Sequence, residues 1–288
     1  MSDPVYHVDG DLVPGTEATV SVEDRGFLYG DAAFETLRAY GGSVFAWDAH
    51  RERLENTCAS LGMEDAVPAD LRERVRETLA ANDFRDAYLR VSVTRGVQPG
   101  KLTPRPDVDP TVVVIAKPLL RGGLEGEPVW EAPATVETVD TRRVDSAAIP
   151  AGAKTHNYLN GILARLELDG EADEALLLDA DGAVAEGATS NLFFVEDGTL
   201  KTPSTEGDLL PGVTRSVVLD IASDESFPVE EGRYDPDTVR RADEVFLTNT
   251  TWEVRPVTKL DRWNLDVGAI TRLLARLFRE RIENEQYV

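Results

Sequence analysis

The chain has 288 residues, with 53 Asp and Glu against 30 Lys and Arg, which gives a formal net charge of −23. Nucleic-acid backbones and anionic membrane surfaces are bound by clustered Lys and Arg, so we expect neither as a partner. With 42% hydrophobic residues, the chain can bury a substantial core in one large domain or two ordinary ones.

Lysine is rare in this sequence. Any chemistry that needs a lysine amine must use one of five positions, which are Lys101, Lys117, Lys154, Lys201 and Lys259. A surface rich in Asp and Glu and poor in Lys stays hydrated in concentrated salt, which screens its self-repulsion. The composition is typical of a haloarchaeal cytoplasmic protein, and an acidic mesophilic protein is the alternative.

Cysteine usage and the N-terminal residues bear on cellular location. The single cysteine, Cys58, excludes an intramolecular disulfide and suits a reducing compartment. Residues 1–7 contain no basic segment followed by an apolar run, and no stretch approaches 18 apolar residues. We therefore expect a cytoplasmic protein that is neither exported nor inserted into a membrane.

In chain order, residues 1–118 predict a small α+β domain. Alternating residues on both sides of Asp9-Gly10 predict a hairpin, and β-branched runs predict further strands. Apolar residues at helical spacing predict two helices, the first of which stops at Gly62. The predicted strands are 5–8, 12–15, 34–40, 88–94 and 111–117, and the predicted helices are 47–61 and 68–81.

Residues 119–127 contain three glycines without periodicity and predict an interdomain loop. Residues 128–288 predict a larger mixed domain with many short strands. Its predicted strands are 129–139, 175–179, 183–186, 191–195 and 244–248, and its predicted helices are 157–168, the segment after 211–212, and 267–284. The predicted fold class is therefore α+β with two domains.

The sequence lacks the motifs of several common enzyme classes. Its histidines, His7, His50 and His156, show no zinc-binding spacing, so no metal is expected. The absence of G-x-S-x-G, G-x-x-x-x-G-K-[ST] and G-x-G-x-x-G argues against common hydrolases, P-loop proteins and dinucleotide-binding proteins. A lysine amine remains as the candidate for catalytic chemistry.

Lys154 has the most suggestive surroundings of the five lysines. It follows an extended segment at 149–152 and precedes a predicted helix. A partly desolvated amine can act as a Schiff-base nucleophile. A solvent-facing lysine near a helix start is the alternative interpretation.

Glu186 ends a predicted strand, just before a turn of small residues and a very apolar strand. A carboxylate at that position would be partly buried and would need a proton or a cation as partner. A pyridinium nitrogen is one such partner. An exposed glutamate in a turn is the alternative.

Two segments could bind a phosphate. Residues 209–215 place Pro211-Gly212 before a predicted helix, where free N–H groups favour anions, and Thr214 adds a hydroxyl. Residues 248–251 offer four hydrogen-bonding side chains directly after an apolar strand. Each signal is weak alone, but anion-binding groups are conspicuous in a chain of charge −23.

Together these residues resemble the class IV, or fold-type IV, pyridoxal-phosphate enzymes, which include branched-chain aminotransferases, D-amino-acid aminotransferases and aminodeoxychorismate lyases. The similar segments cover nearly the whole chain in one order. They are Asp24-Arg25-Gly26-Phe27-Leu28-Tyr29-Gly30-Asp31, Phe34-Glu35-Thr36-Leu37-Arg38, His50-x-x-Arg53-Leu54, Tyr88-Leu89-Arg90, Lys154-x-x-Asn157-Tyr158-Leu159, Glu186-x-x-x-Ser190-Asn191-Leu192-Phe193, Leu210-Pro211-Gly212-Val213-Thr214-Arg215 and Thr250-Thr251-x-Glu253-Val254.

The resemblance implies a homodimeric enzyme with pyridoxal 5'-phosphate as cofactor. It implies a small α/β domain at 1–118, a loop at 119–127 and a larger, β-barrel-like, cofactor-binding domain at 128–288. Lys154 would form a Schiff base with the cofactor and move the substrate α-proton. The other implied cofactor residues are Arg53, Val213, Thr214 and Thr250 at the phosphate, Tyr158 at the phenolate oxygen, Glu186 at the ring nitrogen, and Leu210, Gly212 and Thr251 in the same motifs.

The resemblance also suggests where substrate binds. Tyr29 and Arg90 match positions that meet the substrate carboxylate in branched-chain aminotransferases, and an Arg suits a bidentate carboxylate contact. Phe34 and Thr36 come from the neighbouring similar segment and are further candidates. A structural ion pair is the alternative role for Arg90, and the other cations considered for the carboxylate are Arg38, Arg95 and Lys101.

Two details differ from the branched-chain enzymes. Thr36 occupies a position that is usually Gly, and the spacing from Lys154 to Tyr158 is one residue shorter. Both features look more like the lyases or the D-amino-acid enzymes, although Thr36 also suits a strand.

The leading prediction is transfer of an amino group between an α-amino acid and a 2-oxo acid. A close alternative is aminodeoxychorismate lyase, which eliminates pyruvate and leaves 4-aminobenzoate. A third hypothesis, from another class, is a non-catalytic acidic binding protein on the same fold. The enantiomer, the side-chain preference and the amino acceptor stay open.

Overall fold

The computed structural model describes residues 3–121, 124 and 128–287, so most of the predicted loop at 119–127 lies outside the described residues. The chain forms two compact units. The first takes the described residues of Met1–Arg121, Ala153–Asn157 and Asn284–Val288, and the second takes those of Gly122–Gly152 and Tyr158–Glu283. The units thus differ from the two consecutive domains predicted above, because 153–157 and 284–287 belong to the first unit.

The first unit contains an antiparallel sheet and three helices. Its elements are β1 (Val5–Val8), β2 (Asp11–Pro14), α1 (Arg25–Tyr29), β3 (Ala32–Tyr40), β4 (Ser43–Val44), α2 (Trp47–Ser60), α3 (Leu71–Ala81), β5 (Ala87–Thr94) and β6 (Val112–Pro118). Within the described residues, the strand order is β2-β1-β6-β5-β3-β4.

One face of this sheet is covered by α2 and α3. Ala33 and Leu37 of β3 share a core with Cys58 of α2. Because successive side chains of a strand point to opposite faces, Phe34 and Thr36 lie on the other face of the sheet. The alternation of β3 therefore separates a core face from a face that can carry chemistry.

The second unit contains a mixed sheet and further helices. Its elements are β7 (Ala134–Thr138), α4 (Leu159–Leu166), β8 (Glu174–Leu178), β9 (Val184–Gly187), β10 (Asn191–Glu196), β11 (Thr199–Pro203), α5 (Val213–Asp224), β12 (Val229–Gly232), α6 (Pro236–Arg240), β13 (Glu244–Asn249), β14 (Glu253–Leu260), β15 (Trp263–Asn264) and α7 (Ala269–Gln286), whose end from Asn284 belongs to the first unit.

The strand order within the described part of the second unit is β12-β11-β10-β13-β14-β7-β8-β9, with β15 beside β14. The end strand β9 also lies against β10 and β11, so the sheet curls back on itself. This is the β-barrel-like arrangement that the resemblance implied. Together with the α/β first unit it confirms the predicted α+β fold class.

The predicted elements differ from the observed ones mainly at their ends. The strand predicted over 129–139 begins only at Ala134, after Pro133, which has no N–H to donate to a ladder. The strand β14 was not predicted, because Pro256 and Lys259 interrupt its apolar pattern; pairing with β13 and β7 places it in the sheet nonetheless. No helix within the described ranges is long and apolar enough to cross a bilayer.

Candidate active site

The segment that carries Lys154 is hydrogen-bonded to β3. The carbonyl of Lys154 accepts a hydrogen bond from the N–H of Phe34 at 2.9 Å, and the N–H of His156 donates to the carbonyl of Ala32 at 2.9 Å. The N–H of Lys154 donates to Oγ1 of Thr57 in α2 at 3.1 Å. Lys154 thus extends the sheet beside β3, which is why its segment belongs to the first unit.

The ring of Phe34 organises the side chains around Lys154. The Lys154 amine lies 4.6 Å from the ring centroid, and the guanidinium carbon of Arg90 lies 3.8 Å from it. Each distance is within the range of a cation–π interaction. Phe34 is only 4% exposed, so both cations contact a ring that is withdrawn from solvent.

His156 completes this group without adding a charge. Its ring contacts Phe34 edge-on with centroids 5.8 Å apart, and its Nε2 lies 3.1 Å from Oγ of Ser92. Burial, with the charge of Arg90, lowers the pKa of His156 to about 4. His156 is therefore neutral near pH 7, and the positive charge beside Phe34 comes from Lys154 and Arg90.

The predicted substrate residues fall into two places. Thr36 and Arg90 are directly opposite each other in the β3–β5 register, on the same sheet face as Phe34. Tyr29 is the last residue of α1, with its ring 4.9 Å from the guanidinium carbon of Arg25. The structure therefore brings three of the four candidates together on one face and places Tyr29 on a neighbouring helix.

The other face of β3 carries a buried ion pair. Glu35, which is 1% exposed, accepts hydrogen bonds from Nε and Nη2 of Arg53, both at 2.7 Å, and lies 2.8 Å from Nδ1 of His50. Burial opposes ionisation of Glu35, but the charge and hydrogen bonds of Arg53, aided by His50, lower its pKa to about 2. Arg53, the predicted phosphate ligand, is thus oriented by a carboxylate that is ionised at any ordinary pH. Its contact with a phosphate stays a prediction.

In the second unit, Glu186 occupies the place expected from the sequence, near the end of β9, and is 8% exposed. Its Oε1 accepts from Nε of Arg143 at 2.6 Å. Its Oε2 accepts from the N–H of Leu210 at 3.0 Å and from Nδ2 of Asn191 at 3.3 Å. The carboxylate is thus enclosed and held from several sides, which rejects the alternative of an exposed turn residue.

The predicted anion cradle is formed by the start of α5. This twelve-residue helix begins at Val213, and its N-cap, Gly212, has no side chain that could cap the first N–H groups. A side chain at Gly212 would collide with Oδ1 of Asn191, so glycine is required for this close approach. Thr214, in the first turn, is buried. Uncapped N–H groups beside a hydroxyl are the donors that a phosphate accepts from.

The second cradle lies at the turn between β13 and β14. Thr248 is 1% exposed, and its Oγ1 has no hydrogen-bond partner within the described part of the chain. It is paired in register with Asn191. The side-chain oxygen of Asn249 accepts from the N–H of Thr251 at 3.0 Å and so shapes the turn that carries Thr250. An unpartnered buried hydroxyl next to these residues leaves one donor for a ligand to use.

Tyr158, the candidate for the cofactor phenolate, is the N-cap residue of α4 and is partly buried. Sequence reasoning missed two residues that now stand out. Arg143 pairs with Glu186 across 43 positions of sequence and carries no local signal. Glu35 occurs in one of the quoted segments, yet its pairing with Arg53 required the packing of α2 on the sheet.

Comparison with known proteins agrees with this chemistry. The family profile described as amino-transferase class IV matches residues 32–260. A putative branched-chain-amino-acid aminotransferase of Methanocaldococcus jannaschii is 39% identical over 279 residues, covering 95% of each chain. An aminodeoxychorismate lyase of Bacillus subtilis is 32% identical over 289 residues, covering 97% of this chain and 95% of the relative. D-alanine aminotransferase of Staphylococcus haemolyticus is also 32% identical, over 96% of this chain and 97% of its own length.

Among solved structures, the branched-chain aminotransferase of Thermoproteus uzoniensis, crystallised with norvaline, superposes with a TM-score of 0.91 at 31% identity. The superposition covers 99% of this chain and 96% of that one. The chain belongs to the class IV aminotransferase family, whose members are pyridoxal-phosphate-dependent enzymes acting on amino acids and keto acids.

The residues present fit that cofactor. Within the residues that the structure describes, the chain offers an amine on Lys154, an enclosed carboxylate on Glu186, N–H groups at the start of α5 that the N-cap Gly212 leaves uncapped, and a hydroxyl on Thr248 without a partner. A phosphorylated pyridine aldehyde needs a primary amine for its aldehyde, an anion for its ring nitrogen and donors for its phosphate.

Proposed function

We propose that this chain is an aminotransferase that exchanges an amino group between an α-amino acid and a 2-oxo acid, with Lys154 as the residue that binds the cofactor covalently through a Schiff base. The observation that carries the proposal is the position of the Lys154 amine, 4.6 Å from the Phe34 ring on the sheet face that also presents Thr36 and Arg90.

The cofactor, when bound, supplies an electron-withdrawing ring that acidifies the α-hydrogen of an attached amino acid. The chain's own residues supply the rest. The Lys154 amine takes the α-proton and returns it, which a base of adjustable charge can do. Glu186 holds a proton on the ring nitrogen, since an enclosed carboxylate favours a cationic partner.

Substrate binding rests on Arg90. Its guanidinium carbon lies 3.8 Å from the centroid of the Phe34 ring, on the sheet face that also carries Thr36, and a guanidinium can bind a carboxylate in bidentate fashion. Amino acids and 2-oxo acids share that carboxylate, so one residue can hold both partners of the exchange. Branched-chain amino acids are the first substrates to test, because relatives at 31% and 39% identity carry that name.

The test of this function follows the cofactor spectrum. Apoprotein is reconstituted with pyridoxal phosphate and mixed with a panel of L- and D-amino acids without an acceptor. We expect the visible band to convert to that of the pyridoxamine form with at least one amino acid. Lys154→Ala should lose the band of the covalently bound cofactor and lower turnover by roughly a thousandfold or more. The exposed Lys117→Ala is the matched control and should change neither.

A second function, aminodeoxychorismate lyase, is favoured by Thr36 in β3 and by the 32% identical relative of that name. Release of pyruvate and 4-aminobenzoate from aminodeoxychorismate, with a visible band that persists through the amino-acid panel, would select the lyase. The third hypothesis, a non-catalytic binding protein, predicts instead that the purified protein takes up no cofactor and that Lys154→Ala leaves its visible absorption unchanged.

We also propose a homodimer, from an exposed apolar stripe on α4. Leu159, Ile162, Leu163 and Leu166, at helical spacing, are 57%, 52%, 47% and 74% exposed. A second copy is the occupant we favour, and because each copy carries −23, their association should tighten as salt screens the repulsion. Light scattering at about 0.1 M and about 2 M KCl should show a dimer that strengthens with salt. A monomer at both concentrations, or a dimer unchanged by Leu163→Glu, would contradict this.

The salt dependence should extend to stability. If the acid excess reflects a haloarchaeal cytoplasm, the thermal midpoint should rise with KCl, since screening relieves self-repulsion among 53 carboxylates. Equal midpoints in low and high KCl would reject the halophilic origin and leave the acidic mesophilic protein. The cytoplasmic location remains a prediction that cell fractionation can test.

A further inference from the structure

We propose that Arg143 is a positioning residue for Glu186: it holds the carboxylate ionised and fixes its orientation, and thereby sets cofactor affinity. The inference rests on the proposed function and adds a residue that no quoted motif contains. Arg143 lies in the segment between β7 and α4, with its side chain 18% exposed, and Glu186 lies in β9, with its side chain 10% exposed.

The contact is directional. Nε of Arg143 donates to Oε1 of Glu186 at 2.6 Å, a length typical of a charge-assisted hydrogen bond. The other oxygen, Oε2, is held by neutral donors, the N–H of Leu210 and the amide of Asn191. The two oxygens therefore have different partners, and rotation of the carboxylate would break contacts on both sides.

Arg143 itself is clamped by α4. Asn160, in the first turn of that helix, accepts from the N–H of Val144 at 3.1 Å and donates to the carbonyl of Arg142 at 2.8 Å. Its amide thus brackets Arg143 on both sides. The N–H of Arg143 donates to the carbonyl of Leu178, at the end of β8, at 2.8 Å.

A second clamp holds the start of the same segment. The carboxylate of Glu167, which follows α4, accepts from the N–H groups of Asp140 and Thr141 at 2.7 and 3.0 Å, and from the Thr141 hydroxyl. The helix that follows Lys154 in sequence therefore holds 140–144 at two points. A segment fixed in this way presents its side chain in one position, which a surface arginine in a loose loop would not do.

The chemical consequence concerns the charge on Glu186. An enclosed carboxylate without a cation favours its neutral form, and a neutral acid cannot hold a proton on a ring nitrogen. The nearby guanidinium stabilises the anion in the apoprotein, so the site is ready when the cofactor arrives. Loss of Arg143 should therefore weaken cofactor binding, in addition to any change in turnover.

The experiment compares Arg143→Met with Arg142→Met. Both remove one positive charge at adjacent positions, but the Arg142 side chain is exposed, and the backbone carbonyl that Asn160 binds is kept in Arg142→Met. Apoprotein of each variant is titrated with pyridoxal phosphate, and the dissociation constant is read from visible absorbance. We expect Arg143→Met to raise that constant about tenfold or more, and Arg142→Met to stay within about twofold.

A double-mutant cycle with Glu186→Gln separates positioning from general stability. If Arg143 acts through the carboxylate, Arg143→Met should add little, less than about twofold, in the Glu186→Gln background. Arg143→Lys keeps the charge and should recover part of the affinity. Urea unfolding of the apoproteins provides a readout independent of cofactor and identifies any variant that fails to fold, in which case Arg143→Lys carries the test.

The outcomes are distinct for the two proposals. Unchanged cofactor affinity in both Arg143→Met and Arg143→Lys, with the wild type loaded normally, overturns the role of Arg143 and leaves the proposed function intact. Equal losses from Arg143→Met in the wild-type and Glu186→Gln backgrounds also overturn it, because the effect would then not pass through Glu186. A wild type that takes up no pyridoxal phosphate overturns both proposals.

Discussion

The two units each contain an enclosed Glu–Arg pair, and the pairs are built differently. Glu35 is 1% exposed and binds the fork of Arg53 with both oxygens, with His50 beside it. Glu186 is 8% exposed and meets Arg143 through one oxygen, while neutral donors hold the other.

This difference in contacts suggests that Glu35 stabilises the fold and that Glu186 interacts with a ligand. A carboxylate matched bidentately by a guanidinium has little negative charge left to offer a ligand. A carboxylate that meets a guanidinium through one oxygen keeps more of its anionic character. Glu35 should therefore matter chiefly for stability and for the orientation of Arg53, and Glu186 chiefly for cofactor chemistry.

The largest effect is expected at Glu35. Glu35→Gln leaves Arg53 enclosed without its anion, which should lower the free energy of unfolding by about 3–5 kcal/mol near pH 7. The folded-state pKa of Glu35, about 2, is below the ordinary 4.5, so its contribution is present above pH 4.5 and is lost as pH falls toward 2. Urea unfolding from pH 7 to pH 2 should show a shallower acid decline in the variant.

The exposed pair Arg51–Glu55 on α2, the helix that also carries Arg53, is the matched control for Glu35. Its side chains are 29% and 48% exposed, and removing Glu55 should cost no more than about 0.5 kcal/mol. Similar losses of unfolding free energy for Glu55→Gln and Glu35→Gln would show that burial of the Glu35–Arg53 pair adds nothing to stability. Glu35 would then have no special structural role.

The second effect is expected at Glu186, and it should appear in the rate. Glu186→Gln keeps the shape but removes the charge that holds the ring-nitrogen proton, so kcat should fall roughly a hundredfold, about 2.7 kcal/mol. Its loss of stability should be smaller than that of Glu35→Gln. Steady-state kinetics and urea unfolding of the two variants are measured side by side. A larger loss of stability in Glu186→Gln than in Glu35→Gln, or an unchanged kcat in Glu186→Gln, would contradict these roles.

A third, intermediate effect is expected at Gly212. Gly212→Ala forces a methyl group against Oδ1 of Asn191, the residue whose Nδ2 donates to Glu186. The substitution should lower the free energy of unfolding by about 1–3 kcal/mol. Cofactor affinity should weaken with it, because the first N–H groups of α5 are displaced. Gly198→Ala is a useful contrast, since a new Cβ there meets no atom within 4 Å although its φ is +75°. Calorimetry and cofactor titration of both variants distinguish crowding from backbone strain.

The smallest effect is expected at Phe34. Phe34→Leu keeps an apolar side chain but removes the ring that Lys154 and Arg90 contact. The cation–π interaction energy that is lost is about 0.5–2 kcal/mol. If Arg90 holds the substrate carboxylate, KM should rise more than kcat falls. An unchanged KM would indicate that the orientation of Arg90 does not depend on Phe34.

Much of the fold could be predicted because its signals are local. β-branched runs located β5 and β6, helical spacing located α2, and Pro211-Gly212 located the start of α5. The join of 153–157 to the first unit could not be predicted, because it depends on contacts such as the hydrogen bond from the Phe34 N–H to the Lys154 carbonyl, across 120 positions of sequence. Nothing in the local pattern indicates that pairing.

The candidate residues show the same limit. Lys154, Glu186 and the start of α5 were found because resemblance marked them and their residue types suit the chemistry. Arg143 was missed, because an arginine between a strand and a helix has no distinguishing neighbours until α4 fixes it beside Glu186. Residues that act through another residue are visible only once packing brings the two together.

Trapping the covalent bond to the cofactor identifies the lysine that forms it, which we propose is Lys154. The loaded enzyme is reduced with borohydride, digested and mapped by mass spectrometry. We expect a phosphopyridoxyl adduct on the peptide that contains Lys154, and none in Lys154→Ala. An adduct on Lys101, Lys117, Lys201 or Lys259 instead, or no adduct on a protein that holds its cofactor, would contradict it.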